Sequence, residues 1–199
     1  MLQIFNPIVS EKILQKISSV RRLSLRRYKQ GLSYNGKIPA GAYGVYFKKG
    51  SIGIKVVHGS FGALRVGGSK SLETLQRSKV WNDAIREYNI LKRIELSGFT
   101  PIPYVVKPVQ IGKIYFPAIF MEHIKGVPLS KFGRRDLTFQ ERVRLEGLIS
   151  RYQKKLLTKY GVINYDAYGS NIIIEHKGNQ ILSLKIIDFS PEQVYIERR

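Results

Sequence analysis

Two hydrophobic periodicities alternate along the chain. In Ser10–Tyr28, Ile13, Ile17 and Val20 fall at helical spacing with Leu14 beside them, Ser10 can cap the start, and Glu11 suits the positive end of the dipole. The pattern then shortens to strands. Val45–Phe47 and Ile52–Val57 read as a hairpin about Lys48-Lys49-Gly50-Ser51. Ile52, Ile54 and Val56 belong to one face, and Gly53, Lys55 and Val57 to the other. His58 to Leu75 is rich in glycine, serine and basic residues, which predicts a mobile insertion over 58–77. A helix is expected from Ser78 to Leu96, with the stripe Val80, Ala84, Glu87, Leu91, Ile94 turned inward. After the proline-punctuated Phe99–Tyr104, strands are expected at Val105–Gln110 and Pro117–Glu122, then a linker at His123–Gly126. Thr138 and Glu141 form a capping-box pattern opening a helix with Leu145, Leu148, Ile149, Tyr152 and Leu156 inward and Gly161 as its stop. The β-branched runs around Ile172–Ile174 and Ile181–Ile187, with Lys177-Gly178-Asn179 between them, predict a second hairpin.

This order predicts an α+β fold. A basic helical segment covers 1–30. A small antiparallel sheet with one helix covers 31–124. A shorter helical part carrying the second hairpin covers 125–199.

Composition narrows the chemistry. The 199 residues contain no cysteine, which excludes disulfides, cysteine-ligated zinc and Cys–His catalysis. His58, His123 and His176 lack metal-ligand spacing, and a serine triad is not indicated. No apolar run reaches the roughly 20 residues of a membrane helix, and no signal-peptide pattern opens the chain, so a cytoplasmic location is expected. The net charge of +20 favours anionic partners, and Arg21, Arg22, Arg26, Arg27 and Lys29 cluster after the first helix. An ordinary solvated helix end is the plainer account of that cluster, and a phosphate-contacting or membrane-surface segment the sharper one.

The chain has only four aspartates, Asp83, Asp136, Asp166 and Asp188, and two of them fall in one stretch. Asp166 and Asn171 precede the first strand of the second hairpin, and Asp188 follows the second. A hairpin brings its open ends together, and two carboxylates with an amide suit a hard cation such as Mg²⁺. The plainer reading is of two loop aspartates capping strand ends. Glu87 sits on an apolar line, where a carboxylate needs a partner, and Lys55 is the natural one.

Taken in order, these pieces resemble the protein-kinase superfamily. Gly41-Ala42-Tyr43-Gly44 resembles the end of a Gly-rich loop, with Pro39 where the first glycine would be. Ile52-Gly53-Ile54-Lys55 resembles the V-A-I-K strand, and Glu87 the glutamate of the C-helix. Phe120-Met121-Glu122-His123-Ile124 resembles the hinge, with Met121 as gatekeeper. Asn164-Tyr165-Asp166, followed by Asn171, resembles H-R-D-x-x-x-x-N, and Asp188-Phe189-Ser190 resembles D-F-G. The short remainder and Ile186–Gln193 make the chain similar to minimal atypical kinases, the RIO family or the small kinase of the KEOPS complex.

The resemblance implies a bilobal fold with a truncated C-lobe, and an ATP- and Mg²⁺-dependent Ser/Thr kinase. Lys55 would hold phosphates, Glu87 would orient it, and Asp166 would engage the attacking hydroxyl. Asn171 and Asp188 would carry the metal. Gly41, Ala42, Tyr43, Gly44, Gly53, Lys55, Met121, Glu122, Ile124 and Ile173 would line the nucleotide, with Gly53 leaving room beside the adenine. The implied acceptor is a protein or the chain itself, and RNA or a ribonucleoprotein is a possible partner of the basic surface. Alternatives are a pseudokinase or ATPase module and a small-molecule kinase. Asn164 for histidine is expected to lose a packing and hydrogen-bonding group. Ser190 for glycine is expected to lose access to positive φ.

Overall fold

The computed structural model describes residues 4–5, 9–26, 44–59, 67–131, 137–177 and 180–197. The chain is α+β and divides into two compact units. One comprises Met1–Asn89 and Ile102–His123, the other Ile90–Pro101 and Ile124–Arg199. Among the described residues, no helix is long and apolar enough to cross a membrane.

The first unit is built on a six-stranded sheet. Its strands are β1 (Ile4–Phe5), β2 (Arg22–Leu23), β3 (Gly44–Lys49), β4 (Ile52–Val57), β5 (Pro103–Ile111) and β6 (Ile114–Glu122). The order is β1-β5-β6-β4-β3, with β2 pairing in parallel to β5 and every other pair antiparallel. The sheet is therefore mixed, where a small antiparallel one was expected. Gly50, at φ 63°, makes the tight turn between β3 and β4 that a side chain would strain.

Both faces of β4 are buried. On one face Ile52, Ile54 and Val56 join Val45, Phe47, Val105, Phe116 and Phe120 in a core closed by Ile17 and Val20 from helix α1 (Glu11–Ser18) and the turn after it. The other face carries Lys55, paired with Glu87 from helix α3 (Lys79–Ile94).

The first helix is shorter than its periodicity predicts. It stops at Ser18, and Arg22–Leu23 becomes a strand. Tertiary contacts decide this: Lys107 Nζ donates to the Ile17 carbonyl at 2.6 Å, capping the helix from the sheet, while Val20 is buried. Ser10 makes no side-chain cap. Arg27 and Lys29 of the basic cluster lie outside the described residues, as do 60–66 of the expected insertion. Helix α2 (Leu72–Gln76) is capped by Ser71 and buries Leu75, and Ser69 bridges to Tyr115.

In the second unit, helix α4 (Phe139–Tyr160) opens on the Thr138/Glu141 capping box and ends at Gly161, φ 64°. Leu145, Tyr152 and Leu156 are buried, while Leu148 and Ile149 are half-buried. A short antiparallel sheet follows the order β10 (Gln180–Ile186), β9 (Ile172–Lys177), β7 (Val127–Pro128). A separate ribbon pairs β8 (Val162–Asn164) with β11 (Val194–Ile196).

Candidate functional site

The first unit contributes the lysine–glutamate pair. Lys55 on β4 and Glu87 on α3 meet through both carboxylate oxygens, Nζ lying 2.7 Å from Oε1 and 2.9 Å from Oε2. The carboxylate is 2% exposed and the lysine side chain 11%, so the charges offset each other away from water. Gly44 lies against the lysine stem: a Cβ there would come within 3.2 Å of Lys55 Cε and 2.6 Å of the Val56 carbonyl oxygen. Gly41, Ala42 and Tyr43 lie outside the described residues.

Gly53 does not leave the room its sequence position suggests. Tyr46 lies across it, and a Cβ at Gly53 would overlap the phenol oxygen and sit 2.8 Å from Cζ. The phenol is bound at its tip to His123 Nδ1 at 3.0 Å. Burial, then Glu122 and Tyr104, push its pKa up to about 12. Met121, opposite Gly53 in the β4–β6 register, is buried. The Glu122 amide donates to the Ile102 carbonyl at 2.8 Å.

The second unit gathers the polar groups at the open end of the β9–β10 hairpin. Asp166 lies on the bend after β8, Asn171 ends the 3₁₀ turn Gly169–Asn171, and Asp188 follows β10. Asn171 Nδ2 donates to Asp166 Oδ2 at 2.7 Å and to the Asp166 carbonyl at 3.1 Å. The Ile187 amide donates to the Asn171 carbonyl at 2.8 Å, tying the far strand to the same turn. Tyr168 is exposed, and a hydrogen bond to Asp166, then that carboxylate's charge, raise its pKa. Ile173 is buried on β9, and Ile124 is half-buried at the start of the segment leading to β7.

Two sequence expectations are corrected here. Asn164 does not lose its hydrogen bonds. It is fully buried, its Nδ2 donates to the Asp188 carbonyl at 3.0 Å, and its Oδ1 accepts from the Asp166 amide at 2.9 Å. One side-chain amide thus ties together the two aspartate-bearing segments, its NH₂ donating to one and its oxygen accepting from the other. Nor does Ser190 need glycine's freedom. Asp188, at φ 67°, is the only described non-glycine residue in the left-handed region, so the positive φ falls two positions earlier than the substituted glycine implies. Ser190 is buried, and its amide donates to Asp188 Oδ1 at 3.3 Å. Phe189 between them is completely buried.

Among the described residues, no group of three or more His, Cys, Asp or Glu side chains is arranged to hold a metal ion. Asn171 uses its amide nitrogen within the turn, and its side-chain oxygen and the Asp188 carboxylate, which accepts from the Ser190 amide, are the groups that could hold a cation. Mg²⁺ commonly takes one or two protein oxygens and completes its shell with phosphate and water. No known family model matches the chain, and no curated protein matches its sequence.

Proposed function

We propose that the chain is an ATP- and Mg²⁺-dependent phosphotransferase, a compact atypical Ser/Thr protein kinase whose two units correspond to the lobes of a kinase-like fold. The observation that carries this reading is the Asn164 bridge. It holds the Asp166 and Asp188 segments together while Asp188 keeps a backbone conformation unfavourable for a residue with a Cβ. Such strain is retained where a side chain must be aimed.

Bound Mg-ATP would supply the γ-phosphoryl group as electrophile and a cation to neutralise its charge. Lys55 would hold phosphate oxygens, with Glu87 fixing the ammonium beforehand. Asn171 and Asp188 would hold the cation, with the Ser190 amide steering Asp188. Asp166 orients the attacking hydroxyl and accepts its proton, and the Asn171 contact holds that carboxylate in place. The phenol over Gly53 favours a second reading, a scaffold that does not turn over nucleotide.

Incubation with γ-labelled ATP and Mg²⁺, alone and with generic protein acceptors, separates the two. The kinase reading expects label on serine or threonine, lost in Asp166→Asn. Absence of transfer to any acceptor, with nucleotide still bound, supports the scaffold.

A further inference from the structure

Tyr46 stands directly opposite Lys55 in the β3–β4 register, and Lys48 opposite Gly53. Its ring therefore reaches Gly53 diagonally, a distance long aromatic side chains span across a strand pair. Covering a bare strand glycine with a ring is a known way to protect backbone, and burial in a core would make it only that. This ring is instead 48% exposed. It is held at its tip by the half-buried His123, just beyond the end of β6. The contact spans β3, β4 and β6 like a strap over the face that carries Lys55.

We propose that Tyr46 is a self-occluding strap over the nucleobase slot: its phenol occupies the recess at Gly53, latched to His123, and must swing away before a purine can enter. The proposal rests on the nucleotide-binding reading above. The phenol keeps its proton across the physiological range, and the latch is its 3.0 Å hydrogen bond with His123 Nδ1. Opening costs that bond and the ring's contact with Gly53. The open fraction of the chain then scales the apparent affinity for nucleotide.

The test is calorimetric titration of Mg-ATP into the full chain, with melting temperature recorded for each variant. Tyr46→Phe keeps the ring and removes the latch, and His123→Ala removes the partner. Each should tighten Kd by about five-fold, the scale of one surface hydrogen bond. Tyr46→Ala removes the strap and should tighten binding further. Unchanged affinity in Tyr46→Phe and His123→Ala, or weaker binding in Tyr46→Ala, overturns the strap and makes the ring a wall of the slot. Lys55→Met separates the two claims. If it weakens binding while the Tyr46 series changes nothing, the strap alone fails. If neither wild type nor Tyr46→Ala binds Mg-ATP, the nucleotide reading fails and the strap with it.

Discussion

Lys55 and Glu87 grip each other through both carboxylate oxygens in an environment nearly closed to water. Removing one partner strands the other, so Lys55→Met and Glu87→Leu should each lower stability by about 3–5 kcal/mol. The double replacement should cost less than the sum, because it leaves no buried charge unpaired. Urea unfolding of the three variants measures this. Additive losses would mean that water reaches the pair.

Asp188 and Asp166 should separate on substitution. Asp188→Asn tolerates the left-handed backbone, so its effect reports charge alone, and Mg-ATP affinity should fall at least ten-fold. Asp188→Ala adds backbone strain and should also melt earlier. Asp166→Asn should leave affinity within two- to three-fold while removing most phosphoryl transfer, because its role belongs to the transition state. Paired titration and label transfer distinguish them. Asp188→Asn binding Mg-ATP as wild type does would end the metal assignment.

Asn164→Ala deletes both hydrogen bonds of the bridge, which the part-buried Asp188 carbonyl and Asp166 amide then lose. A loss of about 2–3 kcal/mol is expected, with turnover falling more than nucleotide affinity. Asn164→Asp keeps the acceptor for the Asp166 amide but sets a charge against the Asp188 carbonyl, and should fare worse than Ala in turnover. Equal turnover in wild type and Asn164→Ala would show that the bridge does not position Asp166.

Lys107 gives stability a pH dependence of unusual sign. Burial, then Arg21 and Lys49, lower its pKa to about 8. A lysine whose folded pKa lies below its unfolded value destabilises the fold while charged. That cost is full below pH 8 and is relieved between about pH 8 and the unfolded value near 10.5. Wild type should therefore gain stability relative to Lys107→Met between pH 7 and 9.5. A constant gap in unfolding midpoints would contradict the shift.

The Tyr152 hydroxyl is buried without a hydrogen-bond partner among the described residues, and burial raises its pKa. Tyr152→Phe removes a desolvated polar atom and little else. It should raise stability by about 1 kcal/mol in thermal unfolding.

What could be read in the sequence was what short-range spacing encodes. The capping box at Thr138, the stop at Gly161, the β3–β4 hairpin and the inward Glu87 each follow from residues a few positions apart. The pairing of two-residue β1 and β2 with β5 carries no periodicity, and the end of α1 depends on Lys107, far along the chain. The site divided the same way. Lys55 with Glu87 could be inferred because an apolar stripe demands a partner for a carboxylate. Asn164 could be located but not understood, because its two bonds depend on where the chain returns after β10. Tyr46 was missed altogether. Nothing in its spacing from Gly53 says that the ring leans diagonally, although an aromatic residue opposite a lysine and near a strand glycine was the available signal.

The ribbon of β8 and β11 has a consequence for how this protein can be switched off. Val194–Ile196 pairs with Val162–Asn164, and the Gln193 carbonyl takes the amide of Tyr165, next to Asp166. The bend bearing Asp166 is thus anchored by residues almost thirty positions downstream that carry none of the proposed chemistry. A protease clipping before Gln193, or a stop codon there, would leave Lys55, Glu87 and Asp188 in the chain and still unmoor Asp166.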